Sequence, residues 1–264
     1  MGVLNVTPDS FSDGGRFSDL AAALAHARSM VADGADWIDV GGESTRPGAT
    51  PVALEDEQRR VLPVVEALAD EGVAVSIDTR KAEVARAAVV AGATLINDVS
   101  ASLGSVAAEL GVGWVAMHAQ GEPASMQRAP TYLDVVGEVL EHLVTRADAA
   151  VAAGVPAVWI DPGIGFGKTA AHNLALLAHL DRFVVTGHPV LVGTSRKAFL
   201  GSLLGTSDGA AQPAPVDDRL EGSLATATWA MANGAAMVRV HDVRPTAQAA
   251  LVIAGEIITK DAAA

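Results

Sequence analysis

Short runs of apolar residues alternate along the chain with longer segments in which apolar residues recur every three or four positions. The segment 20–33, for example, places Leu20, Ala23 and Ala27 on one helical face, and Gly34 ends it. Thr246 is expected to cap the last helix of the chain. The short runs are rich in β-branched residues, which predicts buried strands. They cover 2–5, 37–40, 73–77, 94–96, 113–117, 158–160, 189–192 and 236–240. Strands that alternate with helices in this way predict a parallel sheet with right-handed crossovers.

The number of strands favours a closed architecture. Eight βα units close into a (β/α)8 TIM barrel, and no linker separates two domains, so we expect a single α/β barrel domain over 1–264. A doubly wound open sheet is the alternative, because an error of one or two strands would leave the sheet unclosed. Met1 leads directly into the first strand, so we expect further residues upstream of it.

The stretch VWIDPGIGFGK, from Val158 to Lys168, is the most informative segment. Its apolar start predicts a strand that delivers Asp161 to the strand's carboxyl end, where the following proline stops the strand. Three glycines then allow sharp turns and close approach to a ligand, beside an apolar Phe166 and a cationic Lys168. The alternative interpretation is a plain βα turn whose aspartate caps the next helix.

Several other predicted strands also end in a polar residue. In a barrel, the carboxyl ends of all strands meet at one mouth, where barrel enzymes keep their active sites. The residues that would converge there are Asn5, Thr45, Asp78, Asn97, His118, Asp161, Lys197 and His241. Taken singly, a polar residue at a strand end is more often structural than catalytic. The set as a whole predicts a functional site.

The polar residues at this mouth divide into two chemical groups. Asp78, Asn97 and Asp161 offer acceptors and a donor to a planar heterocycle with N–H groups at its edge. Lys197 offers a donor to a ring carbonyl or nitrogen. A second, cationic group suits phosphate oxygens. It consists of Arg46, Arg239 and His241. Asn5 supplies a hard oxygen of the kind that Mg²⁺ accepts beside substrate phosphates.

Composition narrows the possible partners. The chain has 31 acidic and 18 basic side chains, and its net charge of −13 disfavours binding to nucleic acid and to anionic membranes. It has no cysteine, which excludes disulfides. No apolar run reaches the length of a membrane span, and the amino terminus has no signal-peptide pattern. We therefore expect a cytoplasmic protein that acts on small molecules.

Seven motifs together resemble dihydropteroate synthase over nearly the whole chain. They are NVTPDSFSDGG (5–15), GGESTRPG (41–48), SIDT (76–79), INDVS (96–100), DPGIGFGKTAAHN (161–173), GTSRK (193–197) and RVHDV (239–243). The resemblance implies a (β/α)8 enzyme of folate biosynthesis, usually a homodimer and a target of sulfonamides. Such an enzyme joins 7,8-dihydropterin-6-ylmethyl diphosphate to 4-aminobenzoate and releases pyrophosphate with the help of Mg²⁺.

The resemblance also implies roles for individual residues. Its pterin-binding residues are Asp78, Asn97, Met117, Asp161, Phe166, Gly193 and Lys197. Its diphosphate and Mg²⁺ site consists of Asn5, Arg46, Arg239 and His241. Its two loops around 4-aminobenzoate contribute Phe11, Asp13, Ser44, Thr45 and Arg46. The residues implied in catalysis are Asp13, Arg46, Lys197, Arg239 and His241. The diphosphate would leave first, and Asp13 would stabilise the pterin-methyl cation before the arylamine attacks.

A second interpretation keeps the pterin pocket without the reaction. The chain would then be a non-catalytic pterin-binding paralogue, or a related barrel that binds methyltetrahydrofolate for a corrinoid partner. Neither needs the whole phosphate-binding set, so its presence favours the synthase. Two loops depart from the family pattern, because the connection after Ser100 is short and the loop after His118 lacks a basic residue before its glycine. His118 is either a substrate contact or a satisfied strand-end residue, and Trp37 and Trp159 are expected in the core.

Overall fold

Parallel strands form the inner wall of the protein. A computed structural model describes residues 1–7, 16–44, 50–121 and 126–261. The strands in these ranges are β1 (Gly2–Asn5), β2 (Ile38–Gly41), β3 (Val75–Asp78), β4 (Leu95–Asp98), β5 (Gly113–Met117), β6 (Val158–Asp161), β7 (Leu191–Val192) and β8 (Met237–Val238). The seventh strand begins later than predicted, and Pro189, which has no N–H to pair, stands outside it.

The strands close into a ring. β1 to β6 pair in sequence order as one parallel sheet, and β7 pairs with β8. Single parallel bridges join the two groups, between Ile160 and Val190 on one side and between Gly2 and Val240 on the other. The predicted (β/α)8 barrel is therefore confirmed. The open-sheet alternative is wrong, because β1 has a neighbour along each of its edges.

Helices cover the outside of this ring. In the described ranges they are α1 (Arg16–Ala32), α2 (Leu54–Asp70), α3 (Ala82–Val90), α4 (Gly104–Leu110), α5 (Val135–Ala152), α6 (Ala170–Ala178), α7 (Leu180–Val184), α8 (Ala198–Ser207), α9 (Leu220–Ala232) and α10 (Val243–Asp261). The sequence pattern did not predict α7, which is separate because His179 leaves helical geometry (φ −119°, ψ 31°). Throughout the described part of the chain, no helix has the length and apolar character needed to cross a membrane.

Two threonines lie near the amino-terminal ends of helices, and one of the two is a cap. Thr169 caps α6, since its hydroxyl accepts from the N–H of His172 (3.2 Å). Thr246, expected to cap the last helix, lies inside α10 instead, where its hydroxyl donates to the carbonyl of Asp242 (2.8 Å). That expectation is wrong because α10 begins at Val243, directly after the polar end of the last predicted strand.

The alternation of side chains along the strands separates the core from the barrel mouth. Ile77 and Ile160 point outward, pack under the helices and are fully buried. Asp78 and Asp161, one residue further along each strand, point the other way, and Asp78 stands beside Asn97 in the parallel register. The apolar residues that fix the register of the strands therefore also place the polar residues at the mouth.

The apolar core has two parts. The larger part lies between the strands and the helices. The smaller part contains Met1, Leu95, Val115 and Leu191. Trp37 and Trp159, which were expected in the core, pack against this smaller part but are only partly buried. They therefore border the core and are not enclosed by it.

Candidate active site

A pocket opens where the strands end. Its lining consists of Asp78, Asn97, Val99, Met117, Asp161, Ile164, Phe166, Gly193, Lys197 and Arg239. Every residue for which the sequence predicted contact with a pterin ring is among them. Val99 and Ile164, which the sequence analysis left unassigned, add apolar wall. A mixture of apolar wall and a few polar groups suits a planar heterocyclic ligand.

Arg239 lies between two carboxylates. Its Nε donates to Oδ2 of Asp39 (2.6 Å), and its Nη2 donates to Oδ2 of Asp78 (2.7 Å). Burial opposes the charge, but the Asp39 and Asp78 carboxylates outweigh it and raise the pKa of Arg239. The sequence analysis placed Arg239 in a phosphate-binding group apart from Asp78. The structure instead joins the two residues in one ion-paired network inside the pocket.

Asp39, on β2, is an important residue of this network that the sequence analysis did not assign. Its carboxylate is fully buried, and its Oδ2 accepts from Nδ2 of Asn97 (3.0 Å) as well as from Arg239. Asp39 therefore fixes the orientation of both groups. The sequence does contain a feature that could have indicated this role, because a charged residue lies between Ile38 and Val40. A charge in the middle of a buried strand needs a partner.

Asp161 is held by the loop that follows it. Its Oδ1 accepts from the N–H of Gly163 (2.7 Å). The alternative interpretation, in which Asp161 caps the next helix, is wrong, because α6 begins at Ala170 and Thr169 provides its cap. Asp161 is also buried and lines the pocket, so its carboxylate is placed to meet a ligand.

Burial changes the acidity of the two pocket carboxylates. It raises the pKa of Asp161 to about 6, against the opposing effects of the Gly163 N–H and Lys197. It also raises the pKa of Asp78 to about 7, although Arg239 favours the ionised form. The charge of the pocket therefore changes with pH close to neutrality.

The glycines of the loop after β6 are needed for packing as well as for turning. Gly163, Gly165 and Gly167 have positive φ angles of 66°, 84° and 62°. A Cβ atom on Gly163 would lie 1.7 Å from the carbonyl oxygen of His118, and one on Gly167 would lie 2.2 Å from that of Gln120. The loop backbone therefore lies directly against the segment that follows β5 and leaves no room for side chains there.

Gly163→Ala is expected to lower the free energy of unfolding by about 3 kcal/mol or more. A left-handed alanine costs about 1 to 2 kcal/mol, and the clash with the His118 carbonyl adds to that. Gly187→Ala is the matched control, since Gly187 has a φ of 85° but no atom within 4 Å of an added Cβ. Urea unfolding of both variants measures the difference, and equal losses would contradict the packing role.

Lys168, expected to present a cation to a ligand, points into the protein instead. Its Nζ lies 2.9 Å from Nδ1 of His118 and within hydrogen-bond distance of three backbone carbonyl oxygens. His118 is buried too, and burial, followed by the charge of Lys168, lowers its pKa to about 3. The satisfied strand-end interpretation of His118 is therefore correct, and the ligand-facing expectation for Lys168 is wrong.

Lys197 and Phe166 meet at the wall of the pocket. Nζ of Lys197 lies 4.0 Å from the centroid of the Phe166 ring, which is a cation–π distance. The stem of Lys197 runs over Gly165, where an added Cβ would lie 3.2 Å from Cδ of the lysine. The loop after β6 and the turn after β7 therefore fix each other's position.

His241 follows β8 and is held by Ser195. The Ser195 hydroxyl accepts from the backbone N–H of His241 (3.1 Å) and lies 3.1 Å from Nδ1 of the ring. This arrangement favours a tautomer in which Nδ1 accepts from Ser195 and Nε2 carries the proton. Burial, followed by Arg239 and Arg196, lowers the pKa of His241 to about 3. His241 was grouped with the cations, but it is a neutral N–H donor.

Asn5 lies beside Asp78 at the end of β1. Oδ1 of Asn5 and Oδ2 of Asp78 are both 3.7 Å from the Cβ position of Gly41, so the two side chains flank that glycine. Within the described ranges, no three histidine, cysteine or acidic side chains are grouped to hold a metal ion. Mg²⁺ needs few protein ligands and prefers oxygen, so Asn5 together with a substrate phosphate fits that ion.

The second of the two expected loops is anchored at its base by Glu43. The Glu43 carboxylate accepts from the N–H of Val52 (2.9 Å) and forms ion pairs with Lys81 (2.5 Å) and Arg80 (3.2 Å). Ser44, next to it, is the one predicted loop residue that the structure describes. The predictions for four other residues fall outside the described ranges, namely those for Phe11, Asp13, Thr45 and Arg46.

Known proteins share both the sequence and the fold. Residues 1–241 match the family described as pterin binding enzyme. Dihydropteroate synthase of Mycobacterium leprae is 49% identical over 261 residues, which cover 96% of this chain and 91% of that protein. The Yersinia pestis dihydropteroate synthase, solved in a sulfonamide drug complex, has a TM-score of 0.88 at 44% identity (97% of this chain and 93% of that one). The Xanthomonas albilineans synthase, solved with 4-aminobenzoic acid, has a TM-score of 0.87 at 47% identity (97% and 91%).

These similarities extend over the pocket. All residues of its lining, from Asp78 to Arg239, lie inside the range that matches the family. The identity to the Mycobacterium leprae protein covers almost the full length of both chains. Similarity at this level is shared by members of one family and is well above that of barrels with only a fold in common. The chain therefore belongs to the dihydropteroate synthase family.

Proposed function

We propose that the barrel mouth carries out dihydropteroate synthesis, with the pocket residues in divided roles. The chain is an enzyme of the transferase class, and its reaction joins a dihydropterin-methyl diphosphate to 4-aminobenzoate. The observation that carries the proposed roles is the meeting of Asp78, Asn97, Asp161 and Lys197 with Arg239 in one pocket. A protein that only bound a pterin ring would not need Asn5, Arg46, Arg239 and His241 together, so the presence of this whole set favours the synthase over a non-catalytic pterin binder.

The polar pocket residues are proposed to recognise the pterin ring by its edge. Asp161 and Asp78 accept from the N–H groups of the ring, and Asn97 offers its amide beside them. Lys197 donates to a ring carbonyl or nitrogen, while Phe166 contacts a ring face. The positions of these groups in one lining support the assignment. The buried carboxylates also give selectivity, because a ligand without matching donors would leave them unpaired.

The leaving diphosphate is proposed to bind beside this ring site. Arg239 lies at the border and keeps its charge at every accessible pH. His241 would donate from Nε2, and Arg46 would add a second guanidinium. Asn5 would hold Mg²⁺, which when bound neutralises charge on the diphosphate oxygens. Comparing turnover in Asn5→Ala and wild type over a range of Mg²⁺ concentrations tests this, and identical dependence on Mg²⁺ would contradict a role for Asn5.

The reaction is proposed to proceed by dissociation. The bond between the pterin methylene carbon and the diphosphate oxygen breaks first, and the oxygen keeps the electron pair. The methylene cation that remains is delocalised over the pterin ring and stabilised by Asp13. The amine nitrogen of 4-aminobenzoate then forms the C–N bond and loses a proton. Phe11, Ser44 and Thr45 would line the 4-aminobenzoate position, and exclusion of water there prevents capture of the cation.

Release of pyrophosphate tests the proposed function. Purified protein with dihydropterin-methyl diphosphate and Mg²⁺ is expected to form dihydropteroate when 4-aminobenzoate is added and to release one pyrophosphate for each dihydropteroate formed. Product analysis by chromatography distinguishes this from hydrolysis of the diphosphate. Binding of the pterin without pyrophosphate release under either condition would overturn the proposal in favour of a pterin-binding paralogue.

Pterin affinity is expected to rise with pH between about 5.5 and 8, because an ionised carboxylate accepts hydrogen bonds from ring N–H groups more strongly than a protonated carboxyl group, which keeps fewer acceptor sites and adds an O–H donor. The pKa values of Asp161 and Asp78 are about 6 and about 7, so both carboxyl groups lose their protons in this interval. Calorimetry with a dihydropterin alcohol measures the effect without interference from substrate phosphates. Asp161→Asn should flatten the part of the curve near pH 6, and constant affinity in wild type would contradict the assignment.

A homodimer in the cytoplasm is the proposed state of the enzyme. The family resemblance suggests the dimer, and exposed apolar side chains on α9 and α10, including Trp229 (51% exposed) and Leu251 (73% exposed), support it. Sedimentation velocity measures the mass in solution, and a purely monomeric species would contradict the dimer. Cell fractionation tests the location.

A further inference from the structure

The ammonium group of Lys168 is buried and takes no part in the reaction described above. Lys168 is 3% exposed. Its Nζ lies 2.9 Å from Nδ1 of His118, 3.0 Å from the carbonyl oxygen of Gly163, 3.1 Å from that of Phe166 and 3.2 Å from that of His118. Four acceptors therefore surround three N–H bonds, and each of these bonds has a partner.

A buried ammonium group is unfavourable unless nearby groups compensate for its lost hydration. Burial lowers the pKa of Lys168 to about 7, and Lys197 adds repulsion, while Asp161 favours the charged form. The backbone carbonyls have no donor role and turn their negative ends toward Nζ, so they stabilise an ammonium group and not an apolar side chain. The acceptors around Nζ therefore suit the ammonium form of Lys168.

The acceptors of Lys168 belong to two separate parts of the site. The carbonyls of Gly163 and Phe166 lie at the two ends of one turn, which is closed by a hydrogen bond from the Phe166 N–H to the Gly163 carbonyl (3.1 Å). The carbonyl and ring of His118 belong to the segment after β5. Lys168 thus ties both ends of the turn to the neighbouring strand end.

Other hydrogen bonds hold the rest of the loop. Gln127 donates to the carbonyl of Gly165 (2.5 Å), and Tyr132 donates to that of Gly167 (2.9 Å). Asn173 accepts from the N–H of Gly165 (2.8 Å). Among these side chains of the described loop, Lys168 is the one that bonds to both ends of the turn. That turn carries the Phe166 ring, on which Lys197 rests.

We propose that Lys168 is a positioning residue for pterin recognition, whose ammonium group fixes the Gly163–Phe166 turn against the end of β5. This fixed turn holds the Phe166 ring at the pocket wall and, through it, the Lys197 ammonium. The inference rests on the proposed role of the pocket in binding the pterin. Lys168 itself touches neither substrate, so its loss acts on the pterin site and leaves the 4-aminobenzoate site intact.

Chemical rescue tests the inference. Lys168→Ala keeps Cβ and removes a segment with the size and charge of n-propylammonium. KM for the dihydropterin diphosphate is expected to rise roughly tenfold or more, and KM for 4-aminobenzoate less than about threefold. Added n-propylammonium should lower the raised KM, whereas the uncharged 1-propanol should not. Rescue by the cation alone separates positioning by charge from filling of space.

Two further variants keep the test decisive. Lys168→Met has nearly the same length without the charge, so it should show the raised pterin KM even if the alanine variant does not fold. Leu68→Ala, a fully buried change near the carboxyl end of α2 and far from the mouth, should lower stability with both KM values unchanged.

The outcomes separate this inference from the proposed function. A wild-type pterin KM in Lys168→Met, or an equal rise of both KM values with no effect of n-propylammonium, would overturn the positioning role. If Asp161→Asn raises the pterin KM while Lys168→Met does not, the pocket assignment stands and only the inference fails. If neither variant changes it, the pocket assignment itself fails.

Discussion

Arg239→Met is expected to lower kcat/KM by roughly 150- to 5,000-fold, which corresponds to about 3 to 5 kcal/mol. The substitution removes a cation from the proposed diphosphate site, and it also leaves the Asp39 and Asp78 carboxylates without their shared partner. Asn97 loses part of its orientation as well, because Asp39 holds both side chains. Steady-state kinetics with both substrates measures the effect.

The same substitution is expected to change the pH dependence of stability. Arg239 lowers the pKa of Asp78, so its removal raises that pKa further above the value in the unfolded chain. A carboxyl group with a raised pKa stabilises the folded state at low pH and loses that contribution as pH rises through its folded pKa. Relative to wild type, Arg239→Met should therefore be less destabilised near pH 5 than near pH 8.

Arg239→Lys is the control for charge. It keeps the cation but replaces the two N–H bonds that point in fixed directions, so we expect an intermediate loss of kcat/KM. Urea unfolding at the two pH values accompanies the kinetic measurement. A kcat/KM for Arg239→Met within threefold of wild type would contradict the central place of this residue in the site.

Asp161→Asn is expected to lower kcat/KM by roughly 30- to 900-fold, or about 2 to 4 kcal/mol, the scale of a buried hydrogen bond to a charged group. The asparagine keeps the shape of the side chain and can still accept from the Gly163 N–H. It loses only the charge and one acceptor toward the ligand. The loss should appear mainly as weaker binding of the dihydropterin diphosphate.

The free energy of unfolding of Asp161→Asn, unlike its kcat/KM, is not expected to fall at pH 8. Because burial raises the pKa of Asp161 to about 6, the wild-type protein loses stability as pH rises from the unfolded pKa through about 6, and the asparagine variant does not. Asp161→Asn should therefore be at least as stable as wild type at pH 8, despite its lower activity. Asp181→Asn, at an exposed position, is the control for the chemical change. A less stable Asp161→Asn at pH 8 would contradict the expectation that the buried carboxylate costs stability there.

The parallel arrangement of the strands made the polar part of the pocket predictable. The carboxyl ends of parallel strands meet at one mouth of a barrel, so the polar residues at those ends, including Asp78 and Asp161, were expected to lie together there. Asn97 and Lys197 were expected there for the same reason, whereas Met117, Phe166 and Gly193 were assigned to the pocket by the family resemblance alone. The order of the strands followed from the alternation of strands and helices alone, because parallel neighbours need a crossover between them.

Other features depended on contacts that no local pattern contains. Asp39 is understandable only beside Arg239, which is 200 positions away in the chain. The direction of Lys168 follows from three positive φ angles in the loop before it, and each of them turns the backbone in a way that residue types alone do not specify. His241 was grouped with Arg46 and Arg239 as a cation suited to phosphate oxygens, but burial, followed by Arg239 and Arg196, lowers its pKa to about 3.

The ring of strands has a seam, which is the junction between the β7–β8 pair and the six-stranded sheet. β7 and β8 are joined to the six-stranded sheet by one bridge on each side, so amide exchange and partial unfolding should begin there. Arg239 and Lys197 come from the two-stranded side of the seam, whereas Asp78 and Asp161 come from the other. If these residues bind the pterin as proposed, the ligand would join the two parts, and its binding free energy would add to the free energy needed to separate them. The lifetime of the folded enzyme, and its resistance to proteases, thus depends on how well the cell keeps it supplied with substrate.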